Sequence, residues 1–401
     1  MKVFLCAMRI QRTITMVLLI MLAPAVLAQQ EIDERALIEV KDGISISKDS
    51  LFLLNLRFRM QNRFGITTVS RDDLSIRSVD ARVRRLRLRF DGFVLDRRFR
   101  YYIQLAFSRA DLELEELPTA QPIRDAIIYY HFNEDLYVGF GQSKLPGNRE
   151  RVISSGNLQF PDRSIANSAF TLDRDFGAFA YWTVPVAGQE IQLKGALSSG
   201  EGRNALASDD GLAYTGRIEW LPFGAFTDKG DYSEGDLEFE PRPKLSIGGS
   251  YSTNVNAQRT GGQLGGELIS PSDINTAIAD MMFKHNGWAL LGEYFDRRAS
   301  VPISANDVDV TYVPSGTGLN FQLSKLFRSG YEIASRYHSV RPNADVDPLM
   351  RRTDEVLLGS TKYLNGHRIK LQFAAGYRWI DADLEHPNSS WSAMFQVEFG
   401  I

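Results

Sequence analysis

The sequence has 401 residues, of which 44% are hydrophobic and 24% charged, with a formal net charge of −3 and a single cysteine, Cys6. An acidic balance argues against a generally basic, nucleic-acid-binding surface, and one cysteine excludes an internal disulfide framework. Past the N-terminal leader no stretch reaches the roughly 18 consecutive apolar residues of a membrane helix. Arginine is nonetheless unevenly placed: 13 of the 35 arginines lie between Arg57 and Arg100.

The chain opens with Lys2, Arg9 and Arg12, an apolar run Met16–Leu22, and then Pro24-Ala25-Val26-Leu27-Ala28. Basic, apolar and small-residue segments in that order predict a secretory signal peptide over 1–28, cleaved before Gln29. Cleavage would remove Cys6 and three positive charges, taking the net charge from −3 to −6. Residues 29–401 are then expected to form one domain without a disulfide.

The first strong strand is Phe52–Phe64, where Leu54, Leu56, Phe58 and Met60 alternate with Asn55, Arg57, Arg59 and Gln61. A period of two places these sets on opposite faces. After a polar stretch at 65–77 comes Arg82-Val83-Arg84-Arg85-Leu86-Arg87-Leu88-Arg89-Phe90. From Arg85 onward it alternates strictly, arginine against leucine or phenylalanine. Arginine does not shed its proton, so a row of it must face water or anions. Leu86, Leu88 and Phe90 are therefore expected to face lipid, with Arg85, Arg87 and Arg89 lining a water-filled pore. A soluble β-sandwich with a solvated arginine face is the competing reading of this stretch.

The same alternation recurs at 98–108, 125–132, 136–140, 176–184, 190–197, 212–220, 244–252, 275–284, 288–296, 316–325, 331–339, 355–363, 367–377 and 390–399. Together these predict about sixteen strands of roughly ten residues, the length that crosses a bilayer when tilted. Short connections at 95–97, 133–134, 285–287, 327–330 and 364–366 alternate with long ones at 65–77, 109–122, 144–170, 198–211, 253–274, 297–315, 340–354 and 378–389. Short turns on one rim and long loops on the other are the layout of an outer-membrane barrel. Residues 221–243 break the rule, being long where a short turn is due. Backbone groups in hydrocarbon must all be paired within the protein, so an all-strand chain has to close on itself. Phe64, Phe93, Tyr181, Trp220, Trp288, Tyr331 and Trp391 sit near strand ends, as interfacial aromatic girdles would.

At Gly141-Gln142-Ser143-Lys144-Leu145-Pro146-Gly147-Asn148-Arg149-Glu150-Arg151-Val152-Ile153-Ser154-Ser155 the chain resembles the phosphate-selective porin O and P family. Arg84–Leu88, Asp125-Ala126, Asp162-Arg163-Ser164 and Asp173-Arg174-Asp175-Phe176-Gly177 support the likeness. The resemblance implies a trimeric, sixteen-stranded transmembrane antiparallel β-barrel whose third long loop, 144–170, folds into the lumen. It implies further that Lys144, Arg149, Arg151, Ser154 and Ser155 stand at the constriction, with Arg84, Arg85 and Arg87 on the facing wall and Asp125 as the acid opposite. Gly147 stands where aromatic residues are common in that family.

From the residues themselves, Arg57, Arg59, Arg85, Arg87, Arg89, Arg98 and Arg100 fall on the polar faces of neighbouring strands. Such a ladder of forked donors suits anion selection. The competing reading is neutralisation by inward acids such as Asp91, Asp125, Glu293 and Glu332. No phosphate-cradling glycine loop, His-Glu-x-x-His or nucleophile elbow occurs, so no catalytic residue, metal or cofactor is expected. The expectation is a bacterial outer-membrane porin, a passive channel favouring phosphate or similar small anions, with lipid and its own copies in a homotrimer as partners and no nucleic acid. The alternatives are a plugged structural barrel and, further off, a barrel enzyme.

Overall fold

Alternation of apolar and polar side chains leaves each strand with one face for lipid and one for the interior, and the chain uses this almost throughout. The computed structural model describes residues 37–40, 43–112, 120–205, 211–347, 349–381 and 389–401. The expected signal peptide, 1–28, lies outside the described residues. Residues Ile38–Ile401 form one compact unit.

The strands are β1 (Leu37–Val40), β2 (Ile44–Lys48), β3 (Phe52–Thr68), β4 (Ile76–Val94), β5 (Asp96–Ala106), β6 (Ile123–His131), β7 (Leu136–Lys144), β8 (Arg174–Val186), β9 (Gln189–Ser198) and β10 (Ala213–Leu221). They continue as β11 (Lys244–Arg259), β12 (Glu267–His285), β13 (Trp288–Ala299), β14 (Ile303–Ala305), β15 (Val310–Tyr312), β16 (Gly316–Leu326), β17 (Tyr331–Pro342), β18 (Thr353–Asn365), β19 (Ile369–Ile380) and β20 (Ser390–Gly400). Sixteen of these described strands close an antiparallel barrel, with β20 returning to β3 in the register Phe395↔Phe64 and Phe399↔Met60. Strand β3 is shared at its ends: Phe52–Leu56 pairs with β2, and Arg59–Thr67 pairs with β20. Strands β14 and β15 make a small hairpin inside one long loop.

The faces follow the expected assignment. Arg85 and Arg87 are 4% and 7% exposed, whereas Leu86 between them is 37% exposed. Trp182, Trp220, Trp288, Trp379 and Trp391 are exposed on the outer surface. With the sheet closed, the outward apolar band meets lipid and the ladder hydrogen bonds are satisfied by neighbouring strands.

Two expected loops are shorter than the sequence suggested. Strand β3 runs to Thr68 and β4 starts at Ile76, and β11 and β12 extend to Arg259 and from Glu267. Polar residues there pair their backbones as well as apolar ones do. Alternation reports contact with lipid, so it falls silent where a hairpin rises above the membrane. A β-bulge adds a second departure. Gln61 opposes Arg85 but Asn62 opposes Val83, leaving Arg84 as the extra residue. An extra residue on one strand breaks the alternation locally, and Arg84 and Arg85 consequently both line the interior.

Candidate functional site

The β3–β4 hairpin sets Arg57 directly opposite Arg89, Arg59 opposite Arg87 and Gln61 opposite Arg85. Like charges directly across a strand pair repel, and neighbouring acids relieve this unevenly. Arg87 donates to both Asp111 oxygens at 3.0 and 2.8 Å, and Arg124 shares that carboxylate at 3.1 Å. Arg59 lies 3.6 Å from Glu398, and Arg89 2.7 Å from Asp91. Arg85 donates to Gln61 at 2.7 Å and lies 3.7 Å from Asp162. The Nε atoms of Arg57 and Arg89 are both buried without a hydrogen-bond partner.

Facing this wall is the long connection after β7. It carries a one-turn helix, Arg149–Val152, and a second short helix, Ile165–Phe170, capped by Ser164 Oγ, which accepts from the Asn167 amide at 3.1 Å. Between them the backbone is irregular, and an unpaired buried carbonyl is costly. Basic side chains supply the partners. Lys144 Nζ donates to the carbonyls of Arg151, Val152 and Ile153 at 2.9–3.2 Å. Lys370 donates to Gly156 and Leu158, and Arg297 to Ala169, Phe170 and Thr171. Arg163 reaches the carbonyls of Glu150 and Ile153, both at 2.8 Å. Burial, the largest influence, brings the Arg163 guanidinium down to about 10, with Glu150 opposing, so it stays charged at neutral pH.

Apolar knobs complete the seating. Phe170 packs with Phe295, Ile278 and Val340, and Phe160 with Ala334, Leu357 and Ala374. Glycines on the wall make room for the rings, the usual meaning of a glycine inside a strand. A Cβ at Gly318 would lie 2.8 Å from Phe170, and one at Gly359 2.7 Å from Phe160. On the acid side, Glu293 accepts from the Glu150 amide at 2.7 Å and from Asn148 at 3.1 Å. Ile165 N donates to His338 Nδ1 at 2.9 Å.

The connection 222–243 is the unexpectedly long one, and it turns into the barrel from the short-turn rim. Glu234 accepts from the Gln159 amide at 2.7 Å through its carboxylate, while its own amide donates to the Asn157 carbonyl at 2.9 Å. The two inward segments therefore meet inside the lumen.

A cavity of about 1020 Å³ remains beside them. Arg57, Arg59, Arg84, Arg85, Arg87, Arg89, Asp125, Lys144, Arg151, Ser154 and Ser155 all line it. Arg59 donates to Ser154 and Ser155 at 3.3 and 2.8 Å, and Arg87 to Ser155 at 3.1 Å, so loop and wall touch across it. Among the described residues its lining has thirteen arginine and lysine side chains against four aspartates and glutamates, a surplus of nine. Three of the expected residues do not line it, among them Arg98, which is exposed and donates to Asp96 at 2.7 Å. Arg149 is fully buried between Glu219 at 2.9 Å, Asp280 at 3.3 Å and Asp231 at 3.7 Å, where it fastens the loop to β10, β12 and the 222–243 segment. Arg100 lies exposed near the β4–β5 turn and donates to the Arg97 carbonyl at 3.2 Å.

Several inward acids are engaged by basic side chains. Asp125 is taken up by Arg174 at 2.9 and 3.1 Å, and Asp173 forms ion pairs with Arg151 and Arg174. Asp162, on the loop, would be raised by burial, but Arg84, Arg63 and Arg85 outweigh that and hold its carboxyl well below the ordinary range. Arg124, Arg163, Arg174, Lys194 and Arg368 also line the cavity. None was foreseen, although Arg163 and Arg174 lie inside motifs already singled out. Tyr181 is a correction: it lines the cavity instead of joining the outer girdle. Its register partner is the inward Tyr137, and Trp182 next to it takes the lipid side.

The sequence profile of a family described as phosphate-selective porin O and P matches residues 54–399. No curated protein sequence matches the chain. Among solved structures, similar ones include the outer-membrane channel DcaP of Acinetobacter baumannii, at 8% identity and TM-score 0.54, covering 90% of this chain and 100% of that one. A loop-deletion mutant of the Vibrio cholerae outer-membrane protein OmpT gives 9% identity and TM-score 0.54, covering 87% and 99%. Pseudomonas putida OprB gives 10% identity and TM-score 0.52, covering 88% and 95%.

Proposed function

Because the chain belongs to the phosphate-selective porin O and P family of outer-membrane barrels, we propose that it is a passive channel favouring phosphate or similar small anions, with no enzymatic step. The single observation that carries this reading is the surplus of nine positive side chains around the lumenal cavity in a chain whose net charge is −3. Charge of one sign collected in a low-dielectric cleft focuses the field and raises the local concentration of counter-ions. Arg57, Arg59, Arg84, Arg85, Arg87 and Arg89 on the wall, with Lys144, Arg151, Ser154 and Ser155 on the loop side, are the groups an anion would meet. Many already hold carboxylates or carbonyls, so an incoming anion competes with existing partners and binds weakly enough to leave. Arg149 acts as a positioning residue for the loop, Asp125 orients Arg174, and Arg100 lies toward the short-turn mouth.

We also propose a homotrimer; the similar Vibrio cholerae OmpT, 8% identical, has a trimer form. A plugged barrel is the second reading, favoured by the two segments that meet inside the lumen. Reversal potentials across a planar bilayer under a KCl gradient decide the matter. Anion preference is expected, cation preference removes the proposal, and a sealed, non-conducting barrel supports the plug.

A further inference from the structure

The lumenal wall holds an aromatic array that passage of small inorganic ions does not require. Tyr102 on β5, Tyr129 on β6, Tyr137 on β7 and Tyr181 on β8 all line the cavity. Tyr137 and Tyr181 lie parallel, with ring centres 4.6 Å apart and an interplanar angle of 15°. His131 stacks on Tyr137 at 4.5 Å and 15°. Tyr129 closes the group edge-on, at 5.8 Å from Tyr137 and 6.3 Å from Tyr181. Cations border it: the Arg89 guanidinium sits 4.7 Å over the Tyr102 ring, and Arg100 is the register partner of Tyr129.

A purely structural explanation covers part of this. Tyr129 lies over Gly139, where a Cβ would come within 2.8 Å of its ring, and aromatic cover of a strand glycine stabilises a sheet. That accounts for Tyr129 and leaves the Tyr137–Tyr181 pair. His131 and Tyr181 cover the two faces of Tyr137, so the stack turns ring edges toward the cavity, from positions where serine or glutamine would serve a simple pore. Aromatic faces paired with cations are the chemistry that holds ring-bearing anions.

We propose that the β5–β8 wall is a binding track for organic anions that carry a flat ring or a sugar face. The ring lies against the uncovered edges of Tyr137 and Tyr181, and the anionic group pairs with Arg89. This deepens the anion-channel reading and rests on it for delivery of the ligand.

The test uses full-length protein in planar bilayers, with chloride current interrupted by added anions. Benzoate is compared with acetate, and glucose 6-phosphate with inorganic phosphate. The ring-bearing member of each pair is expected to block at a concentration roughly three- to tenfold lower, the scale of one aromatic contact. Tyr137→Leu with Tyr181→Leu abolishes that difference, and Tyr137→Phe with Tyr181→Phe preserves it. Heat-modifiable gel mobility and a far-ultraviolet spectrum like those of the parent protein show that the variants fold. Preference for benzoate alone assigns the track to flat rings, and preference for glucose 6-phosphate alone assigns it to sugar faces. Equal block within both pairs, or a ring preference that survives in the leucine variant, overturns the proposal. If reversal potentials show no anion preference, the channel reading fails by itself. Calorimetric titration of benzoate against acetate into detergent-solubilised protein then still decides the track, because it needs no conduction.

Discussion

Replacing Arg85 and Arg87 by glutamate tests the charge argument most directly. Each substitution changes the lumenal charge by two, so the double variant lowers the surplus from nine to five. An ion passing roughly 7 Å from one unit charge in water gains about 0.6 kcal/mol, and screening at 0.1 M salt about halves this. Four charge units then amount to about 1.2 kcal/mol, or roughly eightfold in local anion concentration. Cations move the opposite way, so the reversal potential in a KCl gradient shifts strongly toward zero. The carboxylate that Arg87→Glu introduces would also face Asp111, which keeps the Arg124 contact at 3.1 Å. For that reason the milder pair Arg85→Gln and Arg87→Gln belongs in the same experiment. It lowers the surplus to seven and should give about half the shift. A reversal potential that stays put in both variants, with single-channel conductance intact, would refute the placement of these guanidiniums in the ion path.

Other outcomes follow from the seating of the loop. Deleting residues 147–160 should raise single-channel conductance several-fold, and an unaltered conductance places the loop outside the current path. Arg149→Met leaves Glu219 and Asp280 with Arg217 but without their second guanidinium. Breaking such a buried pair costs about 3–5 kcal/mol, read as a lower urea midpoint or as flickering current; neither change would mean the pairs are dispensable. Gly359→Leu drives a side chain into the Phe160 ring and should likewise loosen the loop, measured as faster proteolysis within 153–164. The Asp162 carboxyl is depressed. Its ion pairs therefore stabilise the docked loop above its unfolded value near 3.9 and fade only as pH falls through the lower folded value. Conductance should match at pH 7 and pH 5, and a step between them would contradict that assignment.

Strand after strand was legible because lipid contact imposes a period of two, and Leu86 between Arg85 and Arg87 shows how plainly. The same rule misled at Tyr181, where an aromatic residue near a strand end looked interfacial. Only the parity fixed by Tyr137 across the ladder turns it inward. The ends of β3, β4, β11 and β12 escaped notice because hairpins above the membrane no longer need alternation. Arg149 looked like its neighbour Arg151, two residues along the same loop. What separates them is burial among Glu219, Asp231 and Asp280, residues 70 or more positions away that no local pattern brings together. Gly318 and Gly359 did carry a signal, since an isolated glycine in a strand marks a close approach, but nothing local says that a phenylalanine is what approaches.

Arg59, Arg87 and Lys144 hold the loop from strands that precede it, but other sockets are supplied late in the chain. Asn148 waits for Glu293, 145 residues downstream, and Gly156 waits for Lys370, 214 residues downstream. The seating of the inward segment is therefore complete only when the last hairpins are in place. A barrel stalled before β19 would hold its loop without the Lys370 contacts that fix Gly156 and Leu158.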